Sequence, residues 1–185
     1  MEIVVVLLAV LALGALIITW SAGRLDHLHT RLERMDATLE AELLRRSSAT
    51  LEMATSGLLD PATAMVLADV AHRARAAEPE DREETESALT EALIVAFDDP
   101  GQVTEEMAAV TDRRGEVPDW GLELLSDLGA TTRRVQTARR LYNGTVVVTR
   151  NRRRSRFVRV FHLAGRAGMP EPIEFDDRVP GAFQR

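Results

Sequence analysis

Leu141-Tyr142-Asn143-Gly144-Thr145-Val146-Val147-Val148 admits two folds. Asn-Gly ahead of a β-branched run is a hairpin signal, because both residues tolerate the positive φ angles of a tight turn. Upstream, however, Leu124, Leu128, Val135 and Leu141 or Tyr142 recur at helical spacing, and no strand of more than two or three residues is available as the other arm. The spacing therefore predicts an uninterrupted helix, with Gly144 costing it up to roughly 1 kcal/mol relative to alanine. Asp119 reads as the N-cap of that helix.

Working outward, the rest of the chain reads the same way. Leu25, Leu28, Leu32, Met35 and Leu39 follow at spacings of 3, 4, 3 and 4, and the pattern continues through Leu43 to Leu51 and Met53. Ser56-Gly57 loosens this helix, and Asp60-Pro61 starts a second over 61–76, with Met65, Ala68 and Ala71 or His72 on one side. A third covers 82–97, with Leu89, Leu93, Ile94 and Phe97 inward, and Asp98-Asp99-Pro100-Gly101 ends it. A short helix follows at about 104–111. From Met169 onward, three prolines and no periodicity predict an extended or disordered tail, with Ile173 and Phe175 available to pack back on the helices.

The first helix has an N-terminal extension of different character. Ile3 to Trp20 runs for eighteen positions without a charge. At a rise of about 1.5 Å per residue it extends roughly 27 Å, close to the thickness of a bilayer's hydrocarbon core. A cleaved signal peptide is disfavoured, since only Met1 and Glu2 precede the run and no basic residue does. Arg24, Arg31 and Arg34 lie just after it, so the positive-inside rule puts the short N-terminus outside and the body in the cytoplasm.

Composition agrees with helices: aromatics make up 4% of the 185 residues, and Ala and Leu are plentiful. The absence of cysteine excludes disulfides, thiolate metal sites and a cysteine nucleophile. The formal charge of −6 hides a polarised chain. Eleven arginines and no acid fall between Arg133 and Arg166, leaving 12 arginines against 29 acids elsewhere, a balance of −17. Arg150, Arg152, Arg153, Arg154, Arg156 and Arg159 cluster at the end of the last helix, with Phe157 and Phe161 among them. In an up-and-down bundle of four helices this end returns to the bilayer, where anionic head groups favour arginine by roughly 1 kcal/mol each and the phenylalanines can insert shallowly. Cations at a helix C-terminus, paired with acids of neighbouring helices, are the plainer explanation. Nucleic acid is a poor partner for a chain so acidic elsewhere.

Little catalytic chemistry is legible. Arg82-Glu83-Glu84-Thr85-Glu86 has part of the pattern of a metal-binding acidic helix but lacks its upstream glycine and glutamate spacing, and reads as a solvated acidic first turn. His27 and His29 project to different sides of a helix, and His72 and His162 are isolated, so no metal site and no cofactor is expected. No phosphate-binding or dinucleotide glycine motif is present.

The segment ELLSDLGATTRRVQTARRLYNGTV, with Arg139, Arg140, Tyr142, Asn143 and Val146, resembles the terminal signature of the bacterial LemA family. The N-terminal anchor, the helix with DATLEAELLRRSSATLEMA, Ala74-Arg75-Ala76 and the closing PEPIEFDD fall in the order that family shows. The resemblance implies a membrane-anchored antiparallel helical bundle and no defined enzymatic activity. The expectation is thus an all-α chain: a transmembrane anchor at 1–23, an antiparallel four-helix bundle at 24–165 and a tail at 166–185. Functionally it reads as a single-pass interaction or scaffold protein that touches anionic lipid and a protein partner; an unrecognised enzyme or an envelope-facing domain is the alternative.

Overall fold

The computed structural model describes residues 1–111, 117–155 and 168–184, without the side chains at 9, 10, 15, 18, 21, 22, 25, 110 and 111. Among these residues all regular structure is helical: α1 Glu2–Thr55, α2 Pro61–Ala76, α3 Arg82–Phe97, α4 Pro100–Thr111, α5 Asp119–Arg153 and a 3₁₀ turn at Gly181–Phe183. No strand occurs among them.

α5 passes through Asn143-Gly144 without a break. Tyr142, Val146, Thr149 and Arg153, spaced 4, 3 and 4, form one buried stripe, so helical packing overrides the local turn preference. The Thr145 and Thr149 hydroxyls donate to the carbonyls of Leu141 and Thr145 at 2.9 and 2.8 Å, which keeps these β-branched residues compatible with the helix. Asp119 is the first helical residue and not the cap; the Pro118 carbonyl instead accepts the amides of Gly121 and Leu122.

Local chemistry sets most other boundaries. α1 ends where Gly57 takes φ 78°, a left-handed conformation that costs glycine little. Asp60 caps α2, its carboxylate accepting the amides of Ala62 and Thr63 at 2.9 and 3.1 Å, and hydrogen bonds from Thr63 hold its pKa below the ordinary carboxyl value. α4 begins at Pro100, a full turn before the sequence suggested. Asp99, read there as a breaker, caps it by accepting from Gly101 and Gln102, and a proline suits the first turn. The inward side of α2 also differs: Leu67, Val70, Ala71 and Ala74 are buried, and Met65 is 72% exposed.

The chain divides into two compact units. One combines Met1–Ala37 with Leu141–Pro172, the other Thr38–Arg140 with Ile173–Arg185. The second holds the main core, in which Met53, Leu58, Leu67, Leu89, Leu93, Phe97, Met107 and Leu128 enclose Phe183 of the tail. The Phe97 and Phe183 rings lie 5.3 Å apart, so the C-terminal residues complete this core. Among the described residues no helix is long and apolar enough to cross a membrane.

Candidate functional site

Arg46 stands on the inward stripe of α1, spaced with Leu39, Leu43, Thr50 and Met53, and is fully buried. A guanidinium there needs a counter-charge, because desolvating an unpaired ion costs several kcal/mol. α3 supplies it: Glu86 is 2% exposed, and its carboxylate accepts a hydrogen bond from Arg46 Nη2. Arg46 Nη1 donates to the Thr90 hydroxyl at 3.0 Å, while Nε has no hydrogen bond among the described residues. Burial pushes the Glu86 carboxyl above its ordinary value, against the opposing pull of Arg46 and, more weakly, Arg82. Glu86 is therefore not part of the solvated acidic turn expected from the sequence; Glu83 and Glu84 are. One helical turn from Leu89 and Thr90, position 86 falls on the buried side of α3.

The tail lies over this pair. The Phe175 ring, 7% exposed, has the Arg46 guanidinium carbon 5.9 Å and the Arg139 guanidinium carbon 5.5 Å from its centroid. Arg139 also donates through Nε to Asp177 at 2.9 Å. The neighbouring backbone is held from both sides: Thr90 and Gln136 donate to the carbonyls of Asp176 and Asp177, and the amides of Glu174 and Asp176 donate to Glu83 and the Ser87 hydroxyl. A segment without regular structure thus has its polar groups satisfied by the helices beneath it. Hydrogen bonding from Arg178 holds the Asp176 carboxyl below its ordinary value.

The residues of the proposed signature separate. Arg139 joins this cluster and Arg140 is exposed. Tyr142 is buried in the other unit, its hydroxyl donating to the Glu171 carbonyl at 3.2 Å, and Asn143 is half-buried. Arg153, three turns further along the Tyr142 stripe, is buried and donates to the Gly168 carbonyl. It anchors 168–172 and so is not an open lipid contact, as its place in the basic cluster had suggested. Arg150 and Arg152 are partly exposed and Arg154 is exposed. Arg156, Phe157, Arg159 and Phe161 lie outside the described residues.

The arrangement offers no nucleophile beside a base. Among the described residues no three His, Asp or Glu side chains converge as a metal site. No family model, curated protein or solved structure matches the chain. The geometry of the cluster is that of a lock between tail and helices, and sequence reading missed its two charges. The available signal was their phase, since Arg46 and Glu86 each interrupt an inward stripe with a charge of opposite sign.

Proposed function

We propose that this is a single-pass, membrane-anchored helical-bundle protein of the LemA kind, acting as an interaction or scaffold protein with its body in the cytoplasm. One observation carries the anchor: Ile3, Val4, Val5, Val6, Leu7, Leu8, Leu11, Leu13, Leu16, Ile17 and Trp20 are all at least 43% exposed on one unbroken helix. A helix apolar all round has no stable place in water, and lipid covers every side of it. Arg24 stacks at 5.4 Å from the Trp20 ring, an aromatic–arginine pair suited to the interface where the run ends.

The division into units supports a lipid contact of the basic end. The end of α5 belongs with Met1–Ala37 and not with the core around Phe97. From Leu141 to Arg153 α5 rises about 18 Å, and an equal rise back along α1 from Ala37 ends beside Arg24. Arg150, Arg152 and Arg154 are then within reach of head groups, which attract cations on the cytoplasmic leaflet.

The absence of cysteine allows a direct test. Ser126 is exposed on α5, so Ser126→Cys gives one reporter for a membrane-impermeant maleimide. The reading requires the protein in the membrane fraction, labelled only after the cells are opened. Labelling in intact cells would reverse the topology and remove the lipid argument. Recovery in the soluble fraction would remove the anchor.

A further inference from the structure

The unit that contains the core carries an open groove of about 610 Å³ between α2, α3 and the start of α4. Leu67 and Val103 form its floor and are buried; Val66 and Val95 stand on its margins, 55% and 83% exposed. From Ala88 to Ala96 the α3 wall rises roughly 12 Å, a little over two helical turns.

The polar lining has one sign. Asp60, Glu91, Asp98, Asp99 and Glu106 all border the groove, and no arginine does. Asp60 and Asp99 cap helices, Asp98 accepts the Gly181 amide and Glu106 accepts from Gln102, all of them neutral donors. Arg178, beside Asp98 in an adjoining depression, is paired with Asp176 and acts more weakly on Asp98 and Glu91, so among the described residues five carboxylates face a single cation that already has its own partner. The carboxylates are spread from the first residue before α2 to the second turn of α4, so their complement is a row of cations and not a single charge.

We infer that this groove docks a cationic amphipathic helix of a partner protein, with apolar side chains at i, i+3 or i+4 and i+7 over Val66 and Val95 and its arginines or lysines against the acidic margin. An apolar floor supplies affinity to such a ligand, and the charged margin supplies orientation and encounter rate. The surface gives the interaction reading a partner chemistry. It rests on that half of the proposed function and is independent of topology and lipid contact.

The test uses the full chain in a nonionic detergent, with empty micelles as the blank. The probe is a fluorescein-labelled helical peptide of about sixteen residues, leucines on one face and arginines on the flanks, followed by anisotropy. Saturable binding is expected, weakened about tenfold by Val95→Gln and by Glu91→Arg, and weakened by added salt. Both positions are exposed, so unchanged melting temperatures will show that the variants are folded. Equal binding by a peptide of the same composition with shuffled leucines would overturn the groove in favour of unspecific charge attraction. Variants that bind like the parent, or no binding at all, would also overturn it. Full displacement by a small cationic amphiphile together with failure of a longer unlabelled peptide to compete would replace the helix by a small ligand.

Discussion

Arg46 and Glu86 meet inside the core from two helices, with side chains 0% and 3% exposed. The pair is matched, and its two halves are not equivalent to its sum. Glu86→Ala or Arg46→Ala strands an opposite charge and is expected to cost about 3–5 kcal/mol. Replacing both by leucine or methionine removes the desolvation cost with the charges and should recover most of that loss. Chemical denaturation of the parent, Arg46→Leu, Glu86→Leu and the variant carrying both, read as a double-mutant cycle, measures this coupling.

The same burial gives the pair a pH signature. Glu86 has its folded carboxyl raised above 4.5, so the folded state holds the proton more tightly than the unfolded one. Its contribution is full below that ordinary value and is lost as pH rises through the raised folded value. In the parent-minus-variant difference, Glu86→Gln should therefore show the parent losing relative stability as pH climbs from 4.5. A flat difference would mean that Arg46 fully offsets burial. Asp176 runs the other way: its stabilisation is present above the ordinary carboxyl value and lost as pH falls through its lowered one.

Phe175→Ala should do more than open a cavity. Truncating a buried phenylalanine costs about 3–5 kcal/mol, and here it also uncovers two guanidinium groups. The expected readout is faster hydrogen exchange at 173–178 and on the facing turn of α3, measured by mass spectrometry. Gly181→Ala is expected to release the other end of the tail, since a Cβ there would run into the Asp98 carbonyl oxygen.

Gly144→Ala distinguishes a helix from a hairpin at Asn143-Gly144. The added methyl meets nothing within 4 Å, and alanine is the better helix former. Stability should rise by up to about 1 kcal/mol. A hairpin turn at Asn143-Gly144 would instead lose stability, because alanine resists positive φ.

If the end of α5 rests on lipid, neutralising it changes local protection. In reconstituted vesicles, exchange at 150–154 should be slower with anionic than with zwitterionic lipid. Arg150, Arg152 and Arg154 changed together to glutamine should erase that difference, each being worth about 1 kcal/mol at the surface. Exchange indifferent to lipid charge in the parent would remove the contact.

Read alone, the sequence determined the helices and the apolar run, because these are local. Period 3.6 across Leu128, Val135 and Tyr142 outweighs one Asn-Gly dipeptide, Asp60-Pro61 starts α2 by its own hydrogen bonds, and eighteen uncharged residues need no fold to be noticed. Tertiary structure decided what each helix turns toward its neighbours. Met65 and Leu67 are equally apolar, yet only Leu67 meets the core. Positions 83, 84 and 86 are all glutamate, yet only Glu86 finds Arg46, forty residues away, with Phe175 covering that arginine from near the chain's other end. Burial of a charge is stable only with its partner in place, and no local pattern carries that condition.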